Sequence, residues 1–264
     1  MELETEIRSL LGATAVVGRQ LICLEEVDST NNYAKELARA GGADGTVVIA
    51  DCQTAGRGRR ERSFQSPRGK GLYLTVLLRP GLRPDRLTPV TALAGVAVCG
   101  AVERVCGVRP GLKWPNDPVL RGKKLCGILT ELTGAGALIL GIGINVSQSA
   151  EDFSPDVAAM ATSLVLELGR PVSRAALAAA LLEELDRLYD ALRAGRWQAA
   201  LDQYRRDCVN LGRRVQLLTA DGRETVTAVA VDEDFGLVVR DGAGAVRTVR
   251  SGEVSVRGMY GYTE

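Results

Sequence analysis

The chain has 264 residues, 46% hydrophobic and 25% charged, and its 33 Lys and Arg against 32 Asp and Glu leave a formal net charge of +1. So even a balance gives no global field for holding nucleic acid or an anionic membrane surface, and positive charge has to act locally. There is no histidine, and the six cysteines include no CxxC pair, which argues against Cys/His zinc sites and excludes any mechanism that needs an imidazole base.

The length suits one good-sized core and a small satellite domain, at ~150 residues per domain. No apolar run approaches the ~20 residues of a membrane span, and the acidic, amphipathic start MELETEIRSLLG is unlike a signal peptide. A cytoplasmic location is expected, with the cysteines reduced and structural.

In chain order, Gln20 to Val27 reads as a strand, and Ser29 or Thr30 can cap a helix with Tyr33, Ala34, Leu37 and Ala38 on one face. The runs TVVIADC and LYLTVLL are core strands, with a basic loop between them. Residues 80–84 form a turn, and Leu87 to Val105 has the composition of a helix packed on a sheet. Lys113 to Asp117 ends a strand, because Pro115 cannot continue a ladder. Lys124–Leu132 and Leu138–Val146 predict a hairpin across residues 133–137. After Ser173, Leu177, Leu181, Leu185, Leu188 and Leu192 recur at helical spacing, and a second helix spans Trp197 to Asp207. From Leu211 the pattern changes to short alternating segments, RRVQLLT, ETVTAVAVD, GLVVRD and VRTVRSGEVSV, separated by turns that include Asp221-Gly222 and Asp241-Gly242. This predicts domains at 1–210 and 211–264, the second a small β-barrel.

The loop Gly56-Arg57-Gly58-Arg59-Arg60-Glu61-Arg62-Ser63-Phe64-Gln65-Ser66-Pro67 is built to hold an anion. Glycine allows close backbone approach, and arginine matches carboxylate and phosphate oxygens two at a time. It is neither a Walker A loop nor a dinucleotide loop, since the required glycines are missing. Arg60, Arg62 and Arg68 read as solvated charge. Lys113 taken alone reads as a surface lysine, but Trp114 and Pro115 stiffen its backbone, Asn116 and Asp117 offer oxygens, and Lys124 can return to the same place. Asp28-Ser29-Thr30-Asn31 is a helix cap, a ligand contact or both; Asn145 is a turn residue or a hydrogen-bonding group.

Five strings together resemble the biotin protein ligases, also called biotin-[acetyl-CoA-carboxylase] ligases: VDSTN (27–31), QTAGRGRRERSFQSP (53–67), KWPND (113–117), KLCGILTE (124–131) and GIGINV (141–146). Their order and spacing fit from about residue 20 onward. The resemblance implies an α/β (α+β) catalytic domain of the class II aminoacyl-tRNA synthetase/biotin synthetase type, with a mixed sheet, followed by a small SH3-like C-terminal barrel; we expect the barrel to help grip ATP and the acceptor, and deletion of residues 211–264 to weaken biotinylation while leaving the pocket largely folded. It implies that biotin is activated with ATP to biotinyl-5′-AMP and transferred to a lysine of a biotin carboxyl carrier protein. Adenylation needs no base, because a carboxylate is already ionised near neutral pH; for the transfer, Asp117 or a water is left open.

By the same resemblance, Ser29, Thr30, Asn31, Gln53, Arg57, Gly58, Arg59 and Lys113 match biotin-contacting positions. Gly56, Arg57, Arg59, Asn116, Lys124 and Asn145 fall on the ATP side, and Lys113, Arg57 and Arg59 carry the chemistry. Mg2+ is expected to arrive with ATP, with no protein-ligated metal site. Residues 147–163 resemble a segment that covers the adenylate. Glu61 stands where the family usually has glycine, and Phe64 where tryptophan is common. Only residues 1–19 precede the first strand, so no DNA-binding domain is expected there; a homodimer is left open. The alternatives are a lipoate or octanoate ligase of the same fold, against which the missing Arg-Arg-Gly-Gly-Gly run and histidine count, and a nucleic-acid-binding regulator.

Overall fold

The computed structural model describes residues 2–59, 62–81, 89–134, 136–218, 222–250, 255–259 and 262–263. Arg60 and Glu61, residues 82–84 of the predicted turn and Asp221 of the Asp221-Gly222 turn lie outside them.

β1 (Leu21–Val27), β2 (Thr46–Gln53), β3 (Gly71–Leu78), β7 (Cys126–Leu132) and β8 (Leu138–Asn145) form a mixed sheet in the order β1-β2-β3-β8-β7. Only the β1–β2 pair is parallel, joined through α2 (Thr30–Arg39); the other pairs are antiparallel. One face carries Leu72, Leu74, Val76 and Leu78 of β3 and Leu138, Leu140, Ile142 and Ile144 of β8. It packs into a core with α3 (Pro89–Cys106) and α6 (Arg174–Arg193). By length and hydropathy α3 could cross a membrane, which the sequence reading did not anticipate, but 72% of it is buried inside the protein.

The opposite face is only partly covered. α2 lays Ala34 and Ala38 on Val48, Leu77 and Ile139, which seals the half of β3 and β8 nearest residue 77. Further along, the same face of β8 carries Gly141, Gly143 and Asn145, opposite Thr75, Tyr73 and Gly71 of β3. With period-2 alternation the face changes from apolar to glycine within one strand. The hollow left there is the floor of the site.

β4 (Gly111–Lys113), β5 (Asp117–Leu120) and β6 (Lys123–Lys124) make a separate three-stranded sheet. The predicted strand starting at Lys124 is thus two elements: Lys124 pairs with Val119 in β6, and β7 begins at Cys126. Lys113 and Asp117 face each other across the turn Trp114-Pro115-Asn116, whose Trp114–Pro115 peptide is cis.

After α7 (Gln198–Asp207) come β9 (Arg214–Leu218), β10 (Arg223–Val231), β11 (Leu237–Arg240), β12 (Val246–Val249) and β13 (Ser255–Gly258). They form an all-antiparallel SH3-like sheet in the order β12-β11-β10-β9-β13. The last predicted segment supplies two strands, β13 returning to pair with β9.

This sheet does not stand apart. Val215, Leu217, Val226 and Leu237 belong to the same buried cluster as the core between the mixed sheet and its helices. The Trp114 indole donates to the Phe235 carbonyl at 2.9 Å, the Trp114 amide to Asn210 Oδ1 at 2.7 Å, and the Tyr204 hydroxyl to the Pro115 carbonyl at 3.1 Å. The Trp114–Phe235 bond and the shared cluster tie the turn next to Lys113 to residues 211–264.

Candidate active site

A cavity of about 640 Å3 opens over the bare half of the sheet. Its wall includes Ser29, Thr30, Asn31, Gln53, Arg57, Gly58, Arg59, Lys113, Asn116, Lys124 and Asn145, so the structure brings every candidate residue but one to a single place. The exception is Gly56. A Cβ there would lie 2.3 Å from the Phe64 carbonyl oxygen, and its own carbonyl accepts from the Phe64 amide at 2.8 Å. Gly56 lets the two arms of the basic loop approach; it does not face the cavity.

The loop is a folded ribbon, with Gln53 bridged to Ser66 and Arg57 to Ser63. Arg59 Nη1 donates to Asn116 Oδ1 at 2.8 Å, and Asn116 Nδ2 donates to the Ile128 carbonyl at 2.6 Å. Loop, turn and sheet are thereby tied in one chain of bonds. Arg57 lies nearer the mouth, donating to Asn32 Oδ1 at 3.1 Å, with Glu131 Oε1 3.7 Å away.

At the start of α2, Ser29 occupies the N-cap position with no side-chain cap bond. Gln53 Oε1 instead accepts from the Thr30 amide at 2.9 Å and the Thr30 hydroxyl at 3.0 Å, while Gln53 Nε2 donates to Ser66 Oγ at 2.8 Å. Asn31 Oδ1 lies 2.7 Å from the Thr75 hydroxyl, and Asn31 Nδ2 donates to Glu131 Oε2 at 2.9 Å. Glu131 also takes Lys35 at 2.8 Å. Partial burial pushes the Glu131 carboxyl up, but bonds from Lys35 and Asn31 and the charges of Lys35 and Arg57 hold it below the usual carboxylate range.

The glycines of β8 now have a steric account. A Cβ on Gly141 would meet Asn31 Oδ1 at 2.1 Å, and one on Gly143 the Phe64 ring at 2.6 Å. Phe64 also packs edge-on against Tyr73, centroids 6.3 Å apart. Gly141→Ala should therefore displace Asn31 and weaken biotin binding by about tenfold or more, the scale of one misplaced buried hydrogen-bonding group. Titration calorimetry with biotin checks this; unchanged affinity would show that Asn31 is not held by the floor.

Lys113, 5% exposed, projects into the other end of the cavity. Burial pushes its ammonium down to about 8 from 10.5; nearby Asp117 pulls it up, while Lys124, Arg257 and Arg59 push it down. Asp117 is buried too, which alone would raise it, but the charges of Lys124 and Lys113 and bonds from Lys124 and Tyr262 hold it below its ordinary value. Lys124 Nζ lies 2.7 Å from Asp117 Oδ1, and the Tyr262 hydroxyl bonds Asp117 Oδ2.

Asn145 donates to the Thr162 carbonyl at 3.0 Å and accepts from Gln148 at 3.1 Å. Its amide thus holds residues 145–163 against the sheet. That segment brings Phe153, Val157 and Met160 to the cavity, bridges Lys124 through Ala161, and reaches the basic loop through the Ser154 amide, 3.1 Å from Gln65 Oε1. Lys70, 2.6 Å from Asp152 Oδ1, anchors its first turn.

Sequence reasoning missed Thr75, Glu131, Arg257 and Tyr262. Glu131 closes a matched string and could have been found; Thr75 sits in an apolar run and Tyr262 in a tail without a pattern. Among the described residues no group of three acidic or cysteine side chains could hold a metal ion.

A mixed sheet backed by helices, with a basic loop facing an invaginated lysine, is the arrangement of an acyl-adenylate-forming protein ligase. The sequence model of the biotin/lipoate A/B protein ligase family matches residues 23–149, and that of the biotin protein ligase C-terminal domain matches residues 211–257. The chain is 36% identical over 259 residues to the biotin–[acetyl-CoA-carboxylase] ligase of Mycobacterium tuberculosis, covering 95% of this chain and 94% of that one. It is 32% identical over 257 residues to the bifunctional ligase/repressor BirA of Bacillus subtilis, covering 96% of this chain and 78% of that one. It superposes on the biotin protein ligase from Aquifex aeolicus in complex with biotin and ATP with a TM-score of 0.81 at 32% identity, covering 91% of this chain and 99% of the other. The chain belongs to the biotin protein ligase family.

Proposed function

We propose that the chain activates biotin with ATP and passes the biotinyl group to a lysine of a biotin carboxyl carrier protein. The observation that carries this reading is the buried Lys113 ammonium, facing a cavity that also holds the Arg59–Asn116 bond and the polar start of α2. The biotin carboxylate attacks the α-phosphorus of ATP, a P–O bond forms and pyrophosphate leaves. Two anions must meet, and Lys113, Arg57 and Arg59 supply the fixed positive charge that makes this possible. Mg2+ enters as part of the MgATP substrate.

For the biotin head, Ser29, Asn31, Thr30 and Gln53 offer both donors and acceptors over the glycine floor, which suits a cyclic urea. A dithiolane or a plain alkyl chain carries no donors or acceptors to match them and would forgo the hydrogen bonds that a cyclic urea can make there. Asn116, Lys124 and Asn145 lie toward the nucleotide, with residues 147–163 as its cover. Asp117, ionised and engaged by Lys124 and Tyr262, compensates charge and is a poor base for the transfer step.

A catalytic domain over residues 1–210 and a C-terminal domain over 211–264 fit the change from helix to strand after α7, and a cytoplasmic location fits the reaction. The test is ATP–pyrophosphate exchange with biotin, lipoate and octanoate in parallel. Exchange with biotin alone is expected; exchange driven equally by lipoate or octanoate would overturn the assignment.

A further inference from the structure

The tail beyond β13 enters the site. Tyr262 lines the cavity together with Val256 and Arg257, and the next residue, Thr263, is 5% exposed and bonds the Gly122 carbonyl at 3.3 Å. This fixes the tail against the turn between β5 and β6. The Lys113 Nζ lies 3.9 Å from the centroid of the Tyr262 ring, and the Tyr262 hydroxyl bonds Asp117. Among the described residues the Lys113 ammonium makes no hydrogen bond or ion pair within 4 Å, so the ring face is its close contact. An aromatic face attracts a cation most where water is excluded.

Accepting the ligase reading above, we propose that Tyr262 is a positioning residue of the adenylation step: its ring face holds the Lys113 ammonium and its hydroxyl holds Asp117, so that a tail residue sets the geometry of the lysine at the centre of the site. The ring occupies one side of the ammonium and leaves its N–H donors free for incoming oxygens. The hydroxyl and Lys124 take separate oxygens of Asp117, keeping that carboxylate from swinging onto Lys113 and using up its donors.

The test compares Tyr262→Phe, Tyr262→Leu and Tyr262→Ala in the full chain, reading biotin-dependent ATP–pyrophosphate exchange beside thermal melting. Phenylalanine keeps the π face and loses the hydroxyl; leucine keeps apolar bulk without the π face. Tyr262→Phe should lose about threefold to tenfold in kcat, the scale of one typical net hydrogen bond. Tyr262→Leu and Tyr262→Ala should be slower than Tyr262→Phe by a further threefold or more, as loss of a desolvated cation–π contact implies. The order Tyr, Phe, then Leu with Ala, at melting temperatures equal for Phe and Leu, supports the proposal. Leucine equal to phenylalanine, or alanine within twofold of the unsubstituted chain, overturns it. Absence of exchange in the unsubstituted chain would instead sink the ligase reading, so the two failures are distinct.

Discussion

Lys113→Met should slow biotin-dependent pyrophosphate exchange by about 10^2 to 10^3-fold, the loss typical of one preorganised group facing developing charge, while leaving the protein as stable as before at pH 7 or more so. The two halves come from one fact. The ammonium is held inside the protein at 5% exposure, and burial has brought it down to about 8 from 10.5. Between those values the unfolded chain keeps a proton that the folded chain has released, so stability rises with pH across that interval. Below it the charge costs roughly 3 kcal/mol, which methionine removes. Activity moves the other way, because the charged form neutralises the approaching anions. Exchange by the free enzyme should decline as pH passes about 8, over the same range in which the melting temperature climbs. Near-normal exchange by Lys113→Met would remove the residue from the mechanism; a melting temperature several degrees lower would contradict the electrostatic account.

Asp117→Ala should do the reverse to stability. It leaves Lys113 and Lys124 without the carboxylate they share, and removing one partner of a buried charge cluster costs about 3–5 kcal/mol, or roughly 10 °C in melting temperature for a chain of this size. With its attraction gone, the Lys113 ammonium moves below about 8, and exchange lost at neutral pH should return in part when the pH is lowered toward 6. The carboxyl sits below its ordinary value in the fold, so its stabilising contribution holds above the usual carboxylate range and fades as pH falls through the depressed value. Melts from pH 2 to 8, paired with exchange profiles, check both. An unchanged melting temperature would mean that the cations are well solvated and need no partner.

The parts of the fold legible in the sequence had strong local signals. TVVIADC and LYLTVLL are apolar enough to be nothing but core strands, and α6 carries its leucines at helical spacing, all of them buried. The KWPND string marked the end of a strand through Pro115, but not that Asp117 begins the next one. Contacts between distant segments were not legible. Lys124 and Cys126 read as one strand because the break at Leu125 has no glycine or proline to announce it. Gly141 and Gly143 read only as part of a strand and of the GIGINV string, since their purpose depends on Asn31 and Phe64 lying across from them. The placement of the basic loop opposite Lys113 came through resemblance; the Arg59–Asn116 bond that achieves it belongs to tertiary structure.

Tyr262 and Asp117 are 145 positions apart, and the site draws on nearly every stretch of chain between β1 and β13. Contacts so distant form late, because much of the chain must already be ordered before closing them gains anything. A nascent chain could assemble the mixed sheet and its helices while Lys113 still lacked the ring beside it and Trp114 its acceptor at Phe235. Chemistry that makes a reactive mixed anhydride is thus timed by folding: the pocket is completed only when the strand beside β9 and the tail after it have come home, and a ligase interrupted during synthesis would be folded in part without being armed.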